Sequence, residues 1–254
     1  ASLTDSSVVL VSSGFLGALL AGFIGGYVVL FLKKLFSFMP KSLEGIRTIL
    51  IYPVAGVLLI GLIMLLINPF VSAINTGLNN FLSSMSEVNK VILGAILAGM
   101  MSVDLGGPVN KAAYTFGTGM LAEGHYEIMA AVMIGGMVAP LAIALLATFF
   151  PKKLPKKERQ AGLLNYVMGL SFISEGAIPF ASADPIRVLP SCIVGSAVSG
   201  ALSMVFNCTL MAPHGGIFVL PLIGNWFWYV VALAIGSVIA MGIMAALKKN
   251  VWEK

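Results

Sequence analysis

Charge is what this chain has least of. Of its 254 residues only 10% are Asp, Glu, Lys or Arg, and 59% are hydrophobic, whereas soluble domains carry roughly 25% charged residues. That deficit excludes an ordinary soluble protein. Cysteine is nearly absent as well, with Cys192 and Cys208 the only two. They stand sixteen positions apart in what reads as one helix, a separation of roughly 24 Å that rules out their pairing. With no CxxC and no His/Cys cluster, neither a metal site nor a thiol-redox site is expected, and no cofactor is implied. Nothing along the chain resembles a soluble domain, a linker, a low-complexity tract or a strict repeat.

What is present is apolar sequence in long runs. Val8 to Leu32, Ile46 to Phe70, Ile128 to Phe150, Ile186 to Met211 and Leu222 to Leu247 each reach the length of about 20 residues that a helix needs to cross a hydrocarbon core of about 30 Å. Five such runs exclude a signal peptide or a lone anchor, so the expected fold is an all-α polytopic membrane protein. The net charge of +5 would suit a nucleic-acid partner, but the positions of the basic residues argue otherwise. Lys33, Lys34, Lys41 and Arg47 lie between the first two runs. Lys152, Lys153, Lys156, Lys157 and Arg159 follow the third, and Lys248, Lys249 and Lys254 close the chain. Clusters of this kind mark cytoplasmic loops, so no nucleic-acid partner is implied.

Parity then constrains the remaining segments. With Ala1 outside, run two ends outside, while run three must end inside at the Lys152 to Arg159 cluster. Val91 to Met120 therefore leaves and returns on one side, and its centre is broken by "DLGGPVNK", Asp104 to Lys111. By the same count Ala161 to Pro185 starts and ends inside, and it is broken by "SEGAIPF". Two re-entrant hairpins from opposite faces are expected, with thirteen of the fifteen Lys and Arg residues on the cytoplasmic side, as is the C-terminus. Val71 to Asn89 has apolar residues at 71, 74, 78, 81, 82, 85 and 88; this helical spacing predicts an interfacial amphipathic helix.

Broken backbone at membrane depth is tolerated where it lines a wet cavity or is buried in protein. Both hairpin tips have the composition for that: Gly106, Gly107, Pro108 and Asn110 in one, Ser174, Glu175, Gly176 and Pro179 in the other. Carboxylate and amide groups converging on a small cavity suit the hydroxyls of a polyol. Glu175 is the sharpest candidate, since an acidic group in the bilayer costs at least about 2 to 3 kcal/mol on insertion scales and normally faces a cavity. Its roles are substrate or proton handling, or a structural ion pair, for example with Lys111. Asp104 offers direct substrate contact or a cap on a broken helix end. Asp184 and Arg187 flank Pro185; a local ion pair at a helix start is one reading, and Arg187 facing a phosphoryl group or an acidic partner is the other. His214, between Pro213 and two glycines, is either a binding residue or an unremarkable loop residue, while His125 reads as solvated.

The stretches "FISEGAIPFASADPIRVLPSCIVG", "LGAILAGMMSVDLGGPVNKAAYTFG" and "LMAPHGGIFVL" closely resemble the membrane-embedded C component of fructose-type permeases of the bacterial phosphoenolpyruvate-dependent sugar phosphotransferase system. The likeness runs through essentially the whole chain. It implies one permease domain over 1–254, lacking some N-terminal spans, in the bacterial inner membrane. It also implies that fructose or a related hexose is bound here and phosphorylated by a cytoplasmic phosphocysteine-bearing B component fed by upstream phosphocarriers. Glu175 takes the role of the hairpin glutamate that binds sugar hydroxyls and orients or deprotonates the reacting one. Asn110 and His214 match the motif positions and join the expected substrate-binding set; Gly176 and Asp104 join it on the hairpin-tip composition rather than on the resemblance, and Arg187, by its guanidinium, is expected to be phosphate- or partner-facing. No phosphorylated residue is expected on this chain, and a homodimer is implied. The alternative from composition alone is an ion- or proton-coupled secondary transporter for a polar solute, with Glu175 and Asp104 carrying the coupling cation.

Overall fold

The computed structural model describes residues 14–84 and 87–250, and the chain divides into two compact units, Ala1–Ser84 and Met85–Lys254. In the first unit, α1 (Gly14–Leu35) is followed by the basic loop, which folds as 3-10 turns at Phe36–Phe38 and Lys41–Leu43 and a single turn, α2 (Glu44–Ile46). A π-helical stretch, Arg47–Ile51, then runs into α3 (Tyr52–Ser84). Arg47 fastens this loop: Nη1 donates to the Phe36 carbonyl at 3.3 Å and Nη2 pairs with Glu44 at 3.4 Å. α1 packs on α3, yet Phe23, Leu65, Leu66 and Phe70 remain well exposed. In water that apolar surface would be a liability of about 25 cal/mol per Å²; against lipid it carries no penalty. The first residues of the run expected from Val8 lie outside the described residues. The stretch from Val71, expected as a separate surface helix, instead continues α3 to Ser84. Its helical periodicity meets no break strong enough to stop the preceding helix, even with Pro69 inside it.

The second unit is built around α6 (Tyr126–Phe149), in which nineteen residues are buried. A helix apolar all round has no solvent face to offer, and α4 (Glu87–Met100), α5 (Pro108–Ala122), α7 (Lys156–Leu170), α9 (Pro185–Val205) and α10 (Trp226–Leu247) all pack against it. α9 supplies the tightest seams. Its Ser191, Gly195, Ser196, Ser199, Gly200 and Ser203 are buried, and a Cβ on Gly200 would run into the backbone of Gly94 on α4. Ser196 Oγ donates to the Gly135 carbonyl of α6 at 2.8 Å and lies 2.7 Å from Ser102 Oγ. Ser199 Oγ donates to Ala232 of α10 at 2.8 Å. Lipid is as apolar as leucine, so small-residue contacts and hydrogen bonds such as these hold helices together within it.

Among the described residues five helices, those carrying Leu20–Phe38, Glu44–Gly77, Tyr126–Phe149, Pro185–Val205 and Trp226–Leu247, are long and apolar enough to cross a membrane. The fold is that of an all-α membrane protein, and the five correspond to the five apolar runs. Between them lie two interrupted segments. α4 and α5 are separated by 101–107, and α7 is followed by a turn at 171–173, a 3-10 stretch Ser174–Ala177 and the short α8 (Ile178–Ala183).

One local element has no counterpart in the sequence reading. Thr209–Leu210 pairs antiparallel with Ile223–Gly224, forming the ribbon β1–β2 that closes the loop holding His214. α9 therefore ends at Val205, and Cys208 lies beyond it, so Cys192 and Cys208 do not share a helix as expected. Both are buried free thiols. Asn207 and Asn225, at φ of 49° and 56°, take the left-handed conformation that asparagine tolerates at helix ends. Asn225 Nδ2 donates to the Phe206 and Asn207 carbonyls, both at 3.0 Å, stapling the end of α9 to the start of α10.

Candidate functional site

The break after α4 is organised by Asp104. Its Oδ2 accepts from Val109 N–H at 2.7 Å and its Oδ1 from Asn110 N–H at 2.9 Å, satisfying the first-turn donors that a helix beginning at Pro108 leaves open. Of the two roles open to Asp104, the cap is the one its geometry displays. Capping aims α5 so that Asn110 is buried to 1% exposure. Asn110 Nδ2 donates to the Met101 carbonyl at 2.7 Å and to Ser174 Oγ at 3.4 Å, joining the two interrupted segments across 64 positions of sequence. Asn110 Oδ1 has no protein donor among the described residues and is left as an acceptor.

Glu175 arrives from the other side. Its carboxylate is 46% exposed and lies 3.5 Å from Lys111 Nζ, itself 59% exposed, so the pair is open to solvent and to a ligand. Gly106 makes the approach possible. At φ +112° it adopts a backbone that L side chains rarely take, and a Cβ there would stand 2.8 Å from Glu175 Oε1. Gly176 is constrained from behind, since a Cβ would collide with Asn165 Oδ1 and press on Met168 Sδ. Asn165 is 1% exposed and its Oδ1 has no protein partner.

These groups enclose a cavity of about 130 Å³ lined by Met101, Asn110, Lys111, Tyr114, Phe172, Ile173, Ser174, Glu175 and His214. Phe172 is its aromatic hinge. It stacks obliquely on His214 with centroids 5.1 Å apart and on Tyr114 at 6.0 Å. The cavity thus combines a carboxylate, an ammonium, an amide, a hydroxyl and an imidazole with flat apolar faces, a set able to take hydroxyls on its edges and a C–H face against its rings.

Of the sequence candidates, Asn110, Glu175 and His214 meet at this one cavity. Gly176 sits directly behind it and Asp104 beneath it as the cap. His125 stands apart at the start of α6, 3.7 Å from Glu127. Arg187 lies elsewhere: its Nη1 contacts both oxygens of Asp184 at 3.2 and 3.3 Å, the local ion pair expected around Pro185. Asp184 also receives Lys248 Nζ at 3.0 Å, a partner 64 positions distant. Burial alone would raise the Asp184 carboxyl, but the two cations outweigh it and hold the group below the ordinary carboxylate value. Sequence reasoning passed over Tyr114 and Phe172. Tyr114 was reachable, since i and i+4 place it on the same face of α5 as Asn110. Phe172 was not, because a bulky residue at φ +63° gives no sign of itself in sequence.

The fold and site together describe a polytopic membrane protein with a polar cavity where two broken segments meet. The family model "Phosphotransferase system, EIIC" matches residues 6–195, and the chain belongs to that family. It is 49% identical over 244 residues to the fructose permease IIC component of Bacillus amyloliquefaciens, covering 96% of this chain and 80% of that protein. Identity to the PTS system fructose-specific EIIABC component of Bacillus subtilis is 48% over 244 residues, 96% of this chain and 38% of that protein. The PTS system fructose-specific EIIC component of Haloferax volcanii is 41% identical over 240 residues, 94% of this chain and 64% of that protein. This chain therefore spans well under half of the multi-component relative and most of the single-component one. No solved structure matches.

Proposed function

We propose that the chain is the sugar-translocating membrane component of a fructose phosphotransferase system, binding fructose and presenting it for phosphorylation by a cytoplasmic phosphocysteine-bearing component. The observation that carries this reading is the convergence of Glu175, Lys111, Asn110, Ser174 and His214 on one cavity. The names of its relatives give the sugar. In this reading Glu175 accepts hydrogen bonds from sugar hydroxyls, Lys111 holds the carboxylate in place, and the Tyr114–Phe172–His214 row packs the ring. Asp104 serves as a positioning residue through Asn110, and Gly176 supplies the close approach behind Glu175.

Phosphoryl transfer then needs positioning and charge management more than covalent help from this chain. A sugar hydroxyl oxygen attacks the phosphocysteine phosphorus, the S–P bond breaks, the thiolate leaves, and the hydroxyl proton passes to the Glu175 carboxylate. The cavity is small beside the usual range of about 300 to 1,000 Å³, so the two tips part to admit a hexose. The interrupted segments are re-entrant hairpins from opposite faces, α4–α5 from outside and α7–α8 from the cytoplasm. Lys33 to Arg47, Lys152 to Arg159 and the C-terminus all face the cytoplasm of a bacterial inner membrane, and the working protein is a homodimer. Uptake by proteoliposomes tests this: sugar phosphate should accumulate only with phosphoenolpyruvate and the soluble carriers present. Uptake of free sugar that vanishes when the proton gradient is collapsed would replace this reading with a coupled secondary transporter.

A further inference from the structure

A second cavity, of about 350 Å³, opens where the start of α9 meets the start of α7 and the end of α10. Its charged lining is Lys153, Glu158, Asp184, Arg187, Lys248 and Lys249. Four cations against two carboxylates leave a charge of +2. Two of the cations are committed. Lys153 Nζ donates to the Lys248 carbonyl at 2.5 Å, closing the C-terminal end of α10, and Lys248 Nζ is held by Asp184. The other two are not. Arg187 spends only Nη1 on Asp184, its side chain is 41% exposed, and its Nη2 and Nε have no acceptor among the described residues. Lys249 has no ion-pair partner among the described residues either. Asp184, the residue before α9, gives its carboxylate to the cations and makes no cap bond. The result is a preformed basin with a spare planar fork, a spare ammonium and a charge opposite to that of a phosphate monoester, which carries about −1.5 to −2 at neutral pH.

We propose that this basin is a binding site for a phosphate monoester, which, resting on the permease reading, is the phosphorylated sugar on its way out. Asp184 follows Glu175 by nine positions, and the 3-10 turn and α8 between them connect the sugar cavity to the basin. Arg187 forms two parallel N–H···O bonds to the phosphate, Lys249 supplies the second charge, and Asp184 positions Arg187 and Lys248 without touching the ligand. Glu158 borders the basin and limits it to ligands whose charge the cations can outweigh.

The test uses the full chain purified in neutral detergent, with glycerol 3-phosphate and inorganic phosphate as probes and unphosphorylated glycerol as the blank, read by calorimetry. Saturable binding of the monoester is expected, weakened at least about tenfold, or 1.4 kcal/mol, in the Arg187→Gln/Lys249→Gln double variant. It should be nearly unchanged in Lys33→Gln/Lys34→Gln, which removes the same charge elsewhere. A cooperative melting transition like that of the wild type shows that the double variant is folded. A parallel arm compares nanodiscs with and without phosphatidic acid. If that lipid is retained through Arg187 and Lys249 while soluble monoesters do not bind, assignment to the sugar product is overturned in favour of a lipid headgroup. Absence of binding in every arm, or equal weakening by the Lys33/Lys34 pair, overturns the site itself. The binding arms need neither sugar nor carriers, so failure of phosphoenolpyruvate-dependent phosphorylation in the wild-type protein would be a separate result.

Discussion

Gly106 and Glu175 touch: a single added carbon on the glycine would stand 2.8 Å from the glutamate Oε1. The two interrupted segments therefore meet with no room for a side chain between them, and the glycine is further required by its φ of +112°. Gly106→Ala should displace Glu175 and lower fructose affinity at least about tenfold, with backbone strain adding about 1 to 3 kcal/mol of local cost. Equilibrium binding of labelled fructose, with thermal stability as the folding control, checks this. Unchanged affinity would mean that the two tips act separately.

Asn110 links the same segments from within. Replacing it with Ala leaves the Met101 carbonyl without its 2.7 Å donor, a penalty of about 1 to 3 kcal/mol for a buried polar group. Both thermal stability and sugar binding should fall. Asp, which removes the donor but keeps the shape, should do no better than Ala in stability assays.

In the proposed reading Asp104 acts on sugar only through α5, whose first turn it caps. Asp104→Ala removes two cap bonds and should cost about 0.5 to 2 kcal/mol, whereas Asn, which keeps one acceptor, should recover part of the loss. If Asp104 instead contacted the sugar directly, Asn would rescue stability and leave affinity as low as in the Ala variant. The two measurements taken together separate these roles.

The five membrane-length helices were legible because runs of apolar residues of that length leave few alternatives, and the two interruptions because Gly106, Gly107 and Pro108, and later Gly176 and Pro179, punctuate otherwise helical sequence. Glu175 was legible because an acidic residue among apolar neighbours needs a reason. The Thr209–Leu210/Ile223–Gly224 ribbon was not, since its residues continue the apolar composition of the helices they interrupt. The separate surface helix expected from Val71 failed for the opposite reason: amphipathic spacing identifies a helix but not where the preceding one stops. The Asp184–Lys248 pair spans 64 positions, and no local pattern announces a partner at that distance.

That pair also sets a pH signature. Because Lys248 and Arg187 hold the folded-state Asp184 carboxyl below its unfolded value despite its burial, its contribution is fully present above the unfolded value of about 3.9 and is lost as pH falls through the lower folded one. Wild type should therefore exceed Asp184→Asn in melting temperature by a constant margin from about pH 8 to pH 5, closing only below about pH 4. Melting curves of the two proteins across that range check it. A margin that closed between pH 5 and 7 would contradict the depressed value.

The central claim is that the Glu175 carboxylate, held by Lys111 beside Asn110, binds the sugar and serves its reacting hydroxyl. The most direct measurement is phosphoenolpyruvate-dependent phosphorylation of fructose by the Glu175→Gln variant in membranes supplied with the soluble carriers, alongside fructose binding to the same variant. Gln keeps the size and loses the charge and the proton acceptor, so phosphorylation should fall by about 100-fold or more while the protein remains folded and inserted. Phosphorylation and binding at wild-type levels would remove Glu175 from the sugar site.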